Sequence, residues 1–150
     1  MLKKNTLCPS FKALDEKNNE IKIDDYLGKK SIVLFFYPKD NTPGCTAEVC
    51  SFRDQYELFS NLNCELFGIS SDGVFSHSNF KEKYKLPFKL LSDTKGELRK
   101  LFKVPNSLFG LIPGRVTYVI DKNGIVKGAF NSQLNPNSHI KKALNCAKGL

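Results

Sequence analysis

Cys45 stands where a cysteine can act as a nucleophile. The stretch Pro38-Lys39-Asp40-Asn41-Thr42-Pro43-Gly44-Cys45-Thr46-Ala47-Glu48-Val49-Cys50 sets two thiols behind a turn of Asp, Asn, Thr, Pro and Gly. Thr42 before Pro43 predicts an N-cap followed by the first helical position, which makes Cys45 the third helical residue. An N-cap hydroxyl normally reaches the third helical position, so the Thr42 hydroxyl and the Cys45 sulfur are expected to be neighbours. The sulfur also falls among the unpaired amides of the first turn, at the positive end of the helix dipole. Both effects favour thiolate over thiol, and the thiolate is the reactive form. A buried, inert helical cysteine is the competing reading. It accounts less well for a Pro-Gly pair at a strand-to-helix junction, where open α/β folds build their sites.

Cys50 lies five positions further on. In an intact helix that separation gives about 7.5 Å of rise and roughly 140° of rotation. The Cα atoms then stand on the order of 8–9 Å apart on nearly opposite faces, whereas a disulfide needs less than about 7 Å. A Cys45–Cys50 bond therefore requires the first turns to unwind. Either the pair is a redox couple tied to local unfolding, or Cys50 is a core-facing helical residue.

The elements around this stretch follow from pattern. Ile32-Val33-Leu34-Phe35-Phe36-Tyr37 reads as a buried strand, ended by Pro38, which cannot donate to a central ladder. Phe11–Leu14 and Ile21–Ile23 alternate around a polar turn and predict an N-terminal hairpin. Residues 43–61 read as one helix, with Val49, Phe52, Tyr56 and Phe59 on its apolar face. On that helix Arg53 is too far along the axis to touch the Cys45 sulfur but sits near Cys50. A strand at 65–70, a helix at 75–84, a strand at 89–91 and a helix at 94–102 follow. Then come a strand from Arg115 to Ile120, a turn at Asp121-Lys122-Asn123-Gly124, a returning strand and a last helix to about Lys148. Residues 104–114 form an apolar loop, expected to line an entrance to the site, to form a docking patch for a reductant, or to cover core. The layout is α/β.

Composition narrows the class. One hundred and fifty residues suit a single domain spanning 1–150, and no run reaches membrane-span length. The N-terminus has no apolar signal region of useful length, which reads as cytoplasmic or as an organellar chain already processed, such as one in the plastid stroma. Five cysteines, unevenly spaced, do not make a secreted disulfide framework. Cys45 and Cys50 have no Cys or His nearby to complete a zinc set, and His77 and His139 lack ligand spacing. Cys8, held extended before Pro9, reads as a structural or bystander thiol; Cys64 reads as core packing ahead of a second resolving thiol, and Cys146 falls on the last helix. The net charge of +8 is spread over scattered lysines with no nucleic-acid motif, which describes a solvated basic surface.

Pro38-x-x-x-Thr42-x-x-Cys45 resembles the active-site signature of the peroxiredoxins, the thiol-dependent peroxidases. A second cysteine five residues on resembles the Q-type, or bacterioferritin-comigratory-protein-like, branch, as do Phe36 through Asp54 and Leu108-Phe109-Gly110-Leu111-Ile112-Pro113-Gly114-Arg115. The resemblance implies a thioredoxin-like fold, with a central mixed β-sheet flanked by helices and an N-terminal β-hairpin extension. It implies that Cys45 attacks hydrogen peroxide and organic hydroperoxides, with the Thr42 hydroxyl and the Cys45 amide holding the peroxide, Arg115 stabilising the thiolate and the developing charge, and Pro38 and Pro43 shielding the sulfur. Cys50 would resolve the resulting sulfenic acid as an intramolecular disulfide, which thioredoxin or a similar dithiol reduces. It further implies a monomer that works without cofactor or metal. Two other readings remain on the residues alone. A disulfide oxidoreductase would use Cys-x-x-Cys, and here four residues separate the cysteines. A non-enzymatic peroxide sensor would use Cys45 without rapid dithiol-driven turnover.

Overall fold

A computed structural model describes residues 1–107, 112–131 and 135–150. Strand β3 (Ser31–Phe36) is its centre, and every residue of it is buried. Alternation along β3 feeds two cores: Val33, Phe35 and Tyr37 face one, and Ile32, Leu34 and Phe36 the other. Such continuous apolarity is what a strand covered on both faces requires.

The hairpin β1 (Lys12–Leu14) and β2 (Glu20–Lys22) forms as the sequence predicts. With β4 (Cys64–Ser70), β5 (Lys89–Ser92), β8 (Val116–Ile120) and β9 (Val126–Asn131), these strands make a seven-stranded mixed sheet of order β2-β1-β5-β4-β3-β8-β9. β3 runs parallel to β4 and antiparallel to β8, with Phe36 opposite Val116 as the last pair at the site end. The hairpin extends the edge beside β5, as an N-terminal addition to a thioredoxin-like sheet.

Helices α1 (Pro43–Asp54), α2 (Tyr56–Asn61), α3 (Val74–Tyr84), α4 (Glu97–Leu101) and α5 (Asn137–Lys148) flank the sheet. The single helix expected over 43–61 is two, broken at Gln55, whose φ of −103° and ψ of 5° leave the helical range. The helices on either side of the break place Phe52 and Phe59 in the same core; the Phe52 ring stacks on Phe35 at 4.3 Å. The helix expected over 94–102 is shorter, because residues 94–96 form a turn and the Asp93 carboxylate accepts from the Leu98 and Arg99 amides. Arg115 lies just before β8 rather than within it. Two short strands, β6 (Asn106–Ser107) and β7 (Ile112–Pro113), pair within the apolar loop. Its residues 108–111, expected to line an entrance, form a docking patch or cover core, lie outside the described residues.

Candidate active site

Beyond the end of β3 the chain turns at residues 38–42 and enters α1. Asn41 takes a φ of 64°, a left-handed conformation that asparagine tolerates better than most residues. Thr42 is the extended N-cap and Pro43 opens the helix, as the spacing predicts. The Thr42 hydroxyl, however, does not cap the helix. It donates to the Lys39 carbonyl three residues back, at 2.9 Å. Its proton is thus spent, while its lone pairs remain free to accept. The Gly44 and Cys45 amides, in the first turn, have neither an intrahelical partner nor a side-chain cap.

Cys45 is 1% exposed, and Arg115 Nη2 donates to its sulfur at 3.3 Å. Arg115 is buried as well, so little water screens the two groups. Gly44 gives the approach room: a Cβ there would stand 3.3 Å from Arg115 Nη2, a tight contact. The other terminal nitrogen, Nη1, lies 3.2 Å from the fully buried Glu48 carboxylate. Burial pushes the Glu48 carboxyl up to about 8, and the attraction of Arg115 only partly opposes it. Burial thus favours the neutral carboxyl, which leaves more of the Arg115 charge to the sulfur.

A second network anchors the turn. The buried Asp40 carboxylate accepts from the Tyr37 hydroxyl at 2.6 Å and the Ser76 hydroxyl at 2.9 Å, and His77 Nδ1 lies 2.7 Å away. The Asp40 amide donates to Asp72 at 2.8 Å. This ties the turn, two residues before Thr42, to the start of α3. Asp40, Asp72 and His77 form a group with metal-ligating atoms within 4.8 Å of one another. Those atoms are already committed to hydrogen bonds, which describes a structural network rather than a vacant ion site.

Both cysteines of the expected couple lie on the continuous helix α1, and all five cysteines are free thiols. Cys50 is half-buried; burial raises its pKa, Arg53 opposes that and Asp54 adds to it. Arg53 thus acts on Cys50, as its spacing suggested. Burial pushes Cys8 up to about 12, reinforced by Asp24, and Cys64 up to about 11. Burial also raises Cys146. These thiols stay protonated at neutral pH and suit packing, not attack.

The structure brings Cys45, Arg115 and Thr42 to one end of β3 and β8, with Pro38 at the first position past β3. Glu48, Asp40 and His77 were not singled out in the sequence as parts of the site. Glu48 had a usable signal, because it lies three residues after Cys45 on the same helix and so shares its side.

Residues 5–129 match the AhpC/TSA family. The chain is 45% identical over 147 residues to the chloroplastic peroxiredoxin Q of Oryza sativa subsp. japonica, covering 98% of this chain and 67% of that one. Among solved structures it resembles the peroxidoxin BcpB of Mycobacterium tuberculosis, with a TM-score of 0.91 and 32% identity, covering 100% of this chain and 99% of that one. It also resembles the bacterioferritin comigratory protein of Xanthomonas campestris, a structure described for its alkyl peroxide reduction activity. There the TM-score is 0.84 at 27% identity, covering 93% and 90% of the two chains.

Proposed function

The chain belongs to the AhpC/TSA family and is a peroxiredoxin, a thiol peroxidase, and from that premise we propose that Cys45 is its peroxidatic nucleophile and Cys50 its resolving thiol. The observation that carries this reading is the Arg115 guanidinium, brought from just before β8 to 3.3 Å from a buried sulfur in the first turn of α1.

In the first step the Cys45 thiolate attacks one oxygen of the hydroperoxide. The S–O bond forms, the O–O bond breaks, and the other oxygen leaves as hydroxide or alkoxide and takes up a proton. Thr42, its own proton spent on Lys39, accepts from the peroxide O–H. The Cys45 amide and Arg115 donate to the oxygens on which charge develops. Guanidinium suits the task because it stays charged and offers several fixed donors. In the second step the Cys50 thiolate attacks the sulfenic sulfur, the S–S bond forms as the S–O bond breaks, and the hydroxide that leaves takes up a proton to become water. Because α1 is intact with both cysteines on it, this step requires its first turns to open.

An external dithiol such as thioredoxin reduces the disulfide by exchange and closes the cycle. The substrates are hydrogen peroxide and organic hydroperoxides, a breadth supported by the alkyl peroxide activity in the description of the Xanthomonas structure. The chain acts as a monomer on soluble substrates, without nucleic acid or membrane. No helix among the described residues is long and apolar enough to cross a membrane. The chloroplastic names of the 45%-identical relatives favour the plastid stroma over the cytoplasm as its place of work. The test is peroxide consumption driven by thioredoxin. Wild type turns over continuously and Cys45→Ser not at all. Undiminished turnover by Cys45→Ser would move the chemistry to another thiol.

A further inference from the structure

We propose that Arg99 is a positioning residue of this site: its guanidinium fastens together the backbone just before Pro38 and just before Arg115, and so fixes how Arg115 meets the Cys45 sulfur. The inference rests on the peroxidase reading and adds a residue that the sequence does not mark. Arg99 sits on the short helix α4, with lysine next to it at position 100, and reads there as one more surface cation.

The geometry begins where the central ladder stops. β3 and β8 pair as far as Phe36 and Val116. One residue beyond, Tyr37 turns its amide to Ile69 on the other neighbouring strand, and the chain on the opposite side becomes Gly114-Arg115. A single guanidinium spans the gap: Arg99 Nη2 donates to the Tyr37 carbonyl at 2.7 Å, and Nη1 to the Gly114 carbonyl at 3.0 Å. The two carbonyls belong to the residues immediately preceding Pro38 and Arg115. One planar fork therefore sets the spacing between the turn that leads to Cys45 and the residue that carries its cation. The ammonium of a lysine is a single point charge and cannot hold two acceptors in that fixed relation.

Both ends of the clamp are held in turn. Asp93 caps α4 by accepting from the Arg99 amide itself at 3.0 Å, which fixes the root of the side chain. The guanidinium lies over the Phe36 ring at 5.9 Å, which fixes its plane. On the far side Gly114 is pressed against the Pro105 carbonyl so closely that a Cβ would fall 1.9 Å from that oxygen. The backbone before Arg115 thus has almost no room to shift while Arg99 holds it. With the clamp released, Tyr37 remains paired to β4, whereas Gly114 loses its tie to the central strand. The displacement is then expected in Arg115 rather than in Cys45.

That asymmetry defines the test. Alkylation of Cys45 by iodoacetamide needs an accessible, reactive thiolate, whereas reaction with hydrogen peroxide also needs Arg115 in register. Arg99→Lys and Arg99→Gln are compared with wild type and Arg115→Lys for both rates, with circular dichroism confirming the fold. Either folded Arg99 variant suffices. The expected result is at least a tenfold loss in the peroxide rate constant with alkylation within about threefold of wild type. The double variant Arg99→Lys/Arg115→Lys is expected to be no slower than Arg115→Lys alone, because Arg99 acts through Arg115. A peroxide rate within twofold of wild type overturns the proposal, as does a parallel fall in both rates or an additive double variant. Wild type is the control for the reading beneath it: if the unmodified protein reacts with peroxide no faster than a free thiol, the peroxidase assignment fails and not the clamp.

Discussion

The Arg115 guanidinium stands between Cys45 and Glu48, 3.3 Å from the sulfur through one terminal nitrogen and 3.2 Å from the carboxylate through the other. All three side chains are buried. One cation thus serves two groups that compete for it, and their protonation decides which receives it.

Removing the cation isolates its share. Arg115→Ala is expected to fold, because burial favours the neutral form of Glu48 and losing Arg115 removes the one influence that opposes it. The rate constant for Cys45 oxidation by peroxide, measured by stopped flow, should fall by roughly 10²–10³-fold, the usual loss for one preorganised donor. An unchanged rate would remove Arg115 from the site.

Glu48 makes the site sensitive to pH. Its carboxyl, pushed up by burial from an ordinary 4.5 to about 8, holds its proton in the folded chain where the unfolded chain has released it. The stability this contributes is fully present below pH 4.5 and is lost as pH rises through about 8. Glu48→Gln should therefore gain stability relative to wild type across that window. Ionised Glu48 also draws on Arg115, so wild-type peroxide reactivity should decline above about pH 8 while Glu48→Gln holds level. Superimposable pH profiles for the two proteins would contradict this.

Cys50→Ser should complete one peroxide turnover and then stop under thioredoxin-driven conditions. The sulfenic acid on Cys45 would persist and be trapped by dimedone. In wild type the disulfide should form after the sulfenic acid, and faster at higher pH, because α1 must open and burial raises the Cys50 thiol. Steady turnover by Cys50→Ser would assign resolution elsewhere.

The anchor beneath the turn is open to a stability measurement. His77 lies between Asp40 and the Leu91 carbonyl, the latter 3.1 Å from Nε2, and the carbonyl only accepts. That nitrogen must carry a proton. Replacing His77 with Phe strips one partner from a buried pair and should cost about 3 kcal/mol in urea unfolding. A loss under about 1 kcal/mol would mean that the turn is held by other contacts.

What the sequence revealed was what neighbours in the chain decide. The buried strand, the turn, Thr42 as N-cap and Cys45 in the first helical turn were legible because each depends on a few adjacent residues. The Arg115–Cys45 contact joins the first turn of α1 to the residue before β8, seventy positions on, and only family resemblance supplied it. Thr42 was read correctly as a cap position but not in its hydroxyl, because the turn offers the Lys39 carbonyl as a closer partner. The break at Gln55 carries no Gly or Pro to mark it. Neither Arg99 nor His77 carries a local signal in the sequence; the fold alone places their partners.

The most direct test of the Cys45–Cys50 couple is peptide mass mapping under non-reducing conditions after one equivalent of hydrogen peroxide. A disulfide between Cys45 and Cys50 within one chain, formed in seconds, is the expected product and requires the opening of α1. Slow oxidation scattered over several thiols, or a bond from Cys45 to Cys64 or Cys146, would contradict both the couple and the opening helix.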